Sequence, residues 1–152
     1  MAKRRPEVEV DADTGEEIIY FIRRGRPYLY LRDRVTKLFI RRLRYVRLSI
    51  TISVEYEVKG KPYRNIYIDA RISADLRPRD FPNRHRIEKE LEDKLLEIIE
   101  FKFNPELAGM AKIEGIEYGS KRCGFIYPKY IAHIIWERAT GARKEEYEVG
   151  TL

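Results

Sequence analysis

The sequence predicts an α+β fold: an extended antiparallel sheet, built from a meander and a long hairpin, with one main amphipathic helix packed on one face. Three observations carry this. Between 46 and 58, Val46, Leu48, Ile50, Ile52, Val54, Tyr56 and Val58 fill the even positions, while Arg47, Ser49, Thr51, Ser53, Glu55 and Glu57 fill the odd ones. Strict alternation is the period of a half-buried strand. The parity repeats in Ile66, Ile68, Ala70, Ile72 and Ala74. From about 84 to 103 the period becomes helical: Ile87, Leu91, Leu95 and Ile98 form a stripe that Leu96, Ile99, Phe101 and Phe103 widen.

The N-terminal third reads as a meander with strands near 7–11, 16–23, 27–32 and 37–42. Its punctuation is a recurring acid-x-x-Thr-Gly/Lys pattern. Asp11–Gly15, Asp33–Lys37 and Glu137–Gly141 share it. Short acids and threonine hydroxyls bond nearby backbone N–H groups, and glycine accepts positive φ. All three are predicted hairpin turns, with Lys37 in the glycine position. Arg24-Gly25-Arg26-Pro27 supplies a further turn.

The long hairpin follows as 46–58 and 62–74. Pairing even with even residues requires an odd-numbered loop, here expected around Gly60. Leu76–Asn83 is a connector with two prolines, and Asp80 or Asn83 can cap the helix behind it. Asn104-Pro105 ends the helix. Its polar side is rich in acids: Glu88, Glu90, Glu92, Asp93, Glu97 and Glu100. Short strands are expected at 111–118 and 124–127. Residues 128–140 fit both periods. Dense β-branched residues and the Thr140-Gly141 turn favour a hairpin into 143–149 over a helix.

Charge is distributed unevenly. Residues 21–48 carry Arg23, Arg24, Arg26, Arg32, Arg34, Lys37, Arg41, Arg42, Arg44 and Arg47 against one acid, Asp33. The whole chain is only +6. Arginine's planar fork suits phosphate and stacks on rings. Tyr28 and Tyr30 alternate with Leu29 and Leu31, so one pair faces out. If the tyrosines do, they form a small stacking platform beside Arg26 and Arg32. A basic segment interleaved with aromatics points to nucleic acid as the partner. The competing reading is an ion network within the protein, with the acidic helix neutralising the meander.

Composition narrows the setting. The 152 residues suit a single domain, 1–152, with a short basic arm at about 1–6. There is no glutamine, and asparagine occurs only at 65, 83 and 104. With abundant Arg, Lys and Glu, that pattern suggests a thermophilic source, archaeal or viral. One cysteine, Cys123, excludes an intrachain disulfide, and two histidines leave no Cys/His zinc set. No apolar run is long enough to span a membrane, and the basic start lacks an apolar segment behind it. The expected location is the cytoplasm, or a virion if the source is viral.

Tight catalytic motifs are absent: no nucleophile elbow, phosphate-binding glycine loop or paired-histidine zinc motif occurs. Gly25 and Gly119 stand in basic turns that also read as ordinary loops. Glu57-Val58-Lys59, with Glu55 and Asp69, resembles the carboxylate–lysine arrangement of a metal-dependent nuclease, but three-residue patterns arise often by chance. His85, His133, Cys123 and Trp136 read as surface or core residues. The expectation is therefore a non-enzymatic nucleic-acid-binding protein without cofactor or metal, contacting phosphate through 21–48. The alternative is a structural or assembly protein, such as a virion component, that self-associates through sheet edges and charged faces.

Overall fold

The computed structural model describes residues 6–57, 65–102, 111–122, 129–138 and 141–151, with 55–57, 65–69, 102, 112, 129–138 and 141–151 described in backbone alone. Two antiparallel sheets and one main helix make up the fold. The first sheet has the order β1 (Glu7–Val10), β2 (Glu17–Arg23), β3 (Arg26–Arg32), β4 (Phe39–Leu43). It is the predicted meander. The second contains β5 (Val46–Glu57), β6 (Asn65–Leu76), β7 (Lys112–Gly119), β8 (Lys129–Arg138) and β9 (Gly141–Thr151), in the order β7-β5-β6-β8-β9. Residues 129–138 and 141–151 thus pair as antiparallel strands, and 129–138 are not helical. Thr140 and the short strand expected at 124–127 lie outside the described residues, as does the basic arm at 1–5.

Turn chemistry fixes the meander. At Asp11–Gly15, the Gly15 N–H bonds the Asp11 carbonyl at 2.7 Å and the Asp13 N–H bonds Asp11 Oδ1 at 2.8 Å. Asp33–Lys37 repeats it, with Lys37 N–H to the Asp33 carbonyl at 3.0 Å and Val35 N–H to Asp33 Oδ1 at 2.9 Å. Gly15 and Lys37 both have positive φ, 79° and 61°. Between β2 and β3, Arg24 and Gly25 have φ of 50° and 75°. Two positive values in a two-residue loop match the right-handed twist of the flanking strands.

The long hairpin pairs even with even residues, as the alternation requires. Its register joins Val46 to Leu76, Ile52 to Ala70 and Glu57 to Asn65. A turn centred on Gly60 would have joined Ile52 to Ile68. The two-residue displacement preserves parity, so each apolar side chain keeps its face. Residues 58–64 lie outside the described residues.

The even face is the core. Val46, Leu48, Ile50, Ile52 and Val54 are buried opposite Ala70, Ile72, Ala74 and Leu76. The helix α1 (Arg84–Lys102) lays Ile87, Leu91, Leu95 and Ile99 on them, each about 1.5–3 kcal/mol of apolar burial. Ile99 replaces Ile98 as the last member of the stripe, and Phe101 stands 93% exposed. A 3-10 helix, Pro78–Asn83, precedes α1. Asp80 caps that segment, accepting the Arg77 N–H at 3.0 Å, so it does not cap α1. Phe81 joins the sheets: it stacks on Tyr20 at 5.7 Å and meets Tyr118 edge-on at 6.1 Å.

Half-buried alternation implies a solvated odd face on the hairpin. At the base it is not solvated: Ser49, Ser73 and Asp75 are buried. Ser49 and Ser73 share a 2.8 Å hydrogen bond. The Asp11–Gly15 turn and residues 120–121 close over this end, joined by the Ser120 N–H to Asp11 Oδ1 at 3.2 Å and the Lys121 N–H to Asp13 Oδ2 at 2.8 Å.

Candidate nucleic-acid interface

The first sheet has two unlike faces. Ile18, Tyr20, Leu29, Leu31 and Leu43 point inward and are buried. That leaves Ile19, Phe21, Tyr28 and Tyr30 on the outer face, Ile19 buried there opposite Tyr30, with Phe39 joining them from the edge strand. The alternation at 28–31 is thus resolved with the tyrosines out. A bulge between Leu31 and Arg32 brings Phe39 opposite Arg32. Phe21 lies 5.8 Å from Tyr28, 5.6 Å from Tyr30 and 5.8 Å from Phe39, and Tyr30 lies 4.9 Å from Phe39. The ring planes agree within 16–25°. The Arg42 guanidinium sits 4.9 Å above the Tyr28 ring. Phe39 was not anticipated as a partner of the tyrosines, because the bulge that rotates it onto this face has no signature in the sequence.

The ten cations of 21–48 divide into two groups. Three are taken up by the fold. Arg32 and Lys37 both reach Glu17, at 3.4 and 2.7 Å. The Lys37 hydrogen bond is the largest influence on Glu17; burial opposes it, yet the carboxyl stays below its ordinary range. Arg47 bonds Asp13 Oδ1 at 2.9 Å, Ser49 Oγ at 3.2 Å and the Lys121 carbonyl at 3.0 Å. Burial alone would raise the Asp13 carboxyl, but the Lys121 N–H and the Arg47 guanidinium together hold it below its ordinary value. Arg47 is a clamp between the sheets.

The other seven are Arg23, Arg24, Arg26, Arg34, Arg41, Arg42 and Arg44. All are exposed, and none has a carboxylate within ion-pair distance among the described residues. Register places Arg23, Arg24, Arg26 and Arg44 at the end of the sheet where β2 turns into β3, with Arg42 on the ring face beside them. Arg34 stands at the opposite end, and Arg41 pairs with Leu31 on the edge strand. Arg23 and Arg26 are direct cross-strand partners. Like charges so placed repel, which weakens the free sheet.

Among the described residues, no carboxylate of the acidic helix pairs with this patch. Its acids pair within the helix, Arg86–Glu90 at 3.9 Å and Lys89–Asp93 at 3.0 Å. Glu88 accepts the Tyr118 hydroxyl; burial first, and this bond second, push Tyr118 well above its ordinary range. Among the described residues, the ion-pair tie between the meander and α1 runs the other way. Arg84, on the helix, binds Glu7 and Glu9 of β1 at 2.7 Å each.

No cluster of three or more metal-ligating side chains occurs among the described residues. The Glu57-Val58-Lys59 pattern, with Glu55 and Asp69, falls on side chains outside the described residues, as do Cys123, His133 and Trp136. His85 is exposed and 3.2 Å from Glu88. No helix of the described residues is long and apolar enough to cross a membrane. Comparison with protein-family models, with curated proteins and with solved structures finds nothing that matches this chain.

Proposed function

We propose that the protein is a non-enzymatic nucleic-acid-binding protein that contacts the phosphate backbone through the outer face of its first sheet. One observation carries the reading: of seven exposed arginines without carboxylate partners among the described residues, five (Arg23, Arg24, Arg26, Arg42 and Arg44) stand at one end of a face of four packed aromatic rings. An ion network built for heat stability would have paired these arginines with the protein's own acids. Unpaired, and with five of the seven concentrated at one end of a sheet, they form an electrostatic attraction for a polyanion. Arg32, Lys37 and Arg47 serve the fold on this reading, while Tyr28 and Tyr30 belong to the binding face.

The test is a titration of fluorescently labelled DNA and RNA at two salt concentrations. Affinity is expected to fall steeply with salt, with a log–log slope of about −4 to −6 if most of the seven arginines displace counterions. Replacing Arg23, Arg26 and Arg42 together by Glu is expected to abolish binding and leave the melting curve intact. Binding that ignores salt or survives this triple change would refute the proposal.

A further inference from the structure

We infer that the ligand of this face is a single strand, whose unpaired bases pack on the Phe21–Tyr28–Tyr30–Phe39 rings while its phosphates meet the surrounding arginines; this rests on the function proposed above. Three observations lead there.

The first is the rings themselves. A sheet face turned to water ordinarily carries polar side chains, yet this one places four aromatics together, with Phe39 52% exposed. No described element covers them, because Phe81 and α1 pack on the buried side of the two sheets. Their near-common orientation lets a flat group added at the margin continue the same offset packing. Arg42 already does this over Tyr28, at 4.9 Å.

The second is width. Four strands put the outer strand axes about 14 Å apart, at about 4.8 Å per spacing. The major groove of duplex DNA is about 12 Å wide and admits a helix or a two-stranded ribbon. Face-on, this sheet is therefore too wide for the major groove and lies across it. Its rings would then face sugars and phosphates and reach no base. A single strand leaves its bases free to turn onto the rings.

The third is charge. The arginines at the β2–β3 end adjoin the rings, and Glu17 at the other end is already neutralised by Arg32 and Lys37. A backbone can follow the basic end while its bases lie toward the ring cluster. An acidic protein partner would use the charges but would gain nothing specific from the shared ring orientation.

The experiment compares fluorescein-labelled oligothymidylate and oligouridylate, each about 12 nucleotides long, with a duplex of equal length. Fluorescence anisotropy is read at about 50 mM and about 200 mM salt. Both single strands are expected to bind more tightly than the duplex. Phe39→Leu and Tyr30→Leu are each expected to weaken single-strand binding about fivefold or more, since each removes one base contact. The salt slope and the duplex affinity should not change, and Tyr30→Phe should bind as the parent does. Circular dichroism melts confirm folding; if one leucine variant melts early, the other, the Tyr30→Phe control and the parent's own preference still decide. Equal or tighter duplex binding, or ring variants without effect while the arginine triple variant abolishes binding, overturns the single-strand inference alone. No binding of any probe at low salt overturns the proposed function as well. A preference between the two homopolymers assigns the strand to DNA or RNA.

Discussion

Arg47 of β5 and Asp13 of the first hairpin turn are joined by a 2.9 Å contact that ties the first sheet to the second. Arg47 belongs by sequence to the basic stretch and by contacts to the fold. Arg47→Ala is expected to cost about 1–3 kcal/mol, since it removes the guanidinium donor from Asp13 Oδ1 and from the Lys121 carbonyl. Nucleic-acid affinity should change no more than roughly twofold, because no free phosphate contact is lost. Arg42→Ala should do the reverse. Denaturant unfolding and anisotropy on the same two variants check both halves.

The clamp constrains Gly119. A Cβ there would lie 2.5 Å from Arg47 Nη2 and 2.6 Å from Asp13 Oδ2. Gly119→Ala is expected to destabilise by about 1–3 kcal/mol through displacement of the ion pair. A melting temperature equal to that of the parent would show that the two side chains can move aside freely.

Acid should loosen the same contact. Asp13 titrates below its ordinary value in the folded state, so in acid the unfolded chain binds the proton first. The stabilisation is complete above about pH 4 and is lost as pH falls through the lower folded value. Asp33 and Glu17 shift in the same direction and add to the slope. Melting temperature measured from about pH 6 to about pH 2.5 should fall less steeply in Asp13→Asn than in the parent.

Arg23 and Arg26 face each other across β2 and β3 with no carboxylate partner among the described residues. Arg23→Glu replaces repulsion with attraction and is expected to stabilise the free protein by about 0.2–1 kcal/mol. It should also weaken nucleic-acid binding. The two effects of opposite sign, read by melting and by titration, separate a charge kept for a ligand from one kept for the fold.

Ile52 is 1% exposed in the core, whereas Thr51 is half-buried on the other face. Ile52→Asp is expected to cost several kcal/mol, about 3 or more, and Thr51→Asp much less. Thermal melts of both variants check this. Ser49→Asp, although on the same face as Thr51, should resemble the core substitution, because Ser49 is buried beneath the Arg47 clamp.

Local patterns made most of the fold legible. Alternation at 46–54 assigns the buried face of the hairpin, and the turn residues at 11–15 and 33–37 place the four strands of the meander. The stripe from Ile87 to Leu95 names the helix face. These features depend on neighbours within a few residues, where side-chain period and backbone preference act directly. Phe101 was misassigned because the stripe outlasts the surface that α1 covers. The candidate site was legible as a composition, basic and aromatic, and not as a geometry.

The sequence by itself determined the α+β class, the meander, the parity of the long strands and the segment that holds the excess charge. Only the tertiary structure decided which charges are free. Arg47 and Arg23 are both arginines of one basic run, yet one meets Asp13 from 34 residues away while the other meets a second arginine. The bulge after Leu31 likewise brought Phe39 to Tyr30. Such pairings are set by strand register and by the docking of one sheet end on another. Coulombic and ring contacts act over a few ångströms, so what a side chain does depends on neighbours that chain distance does not specify.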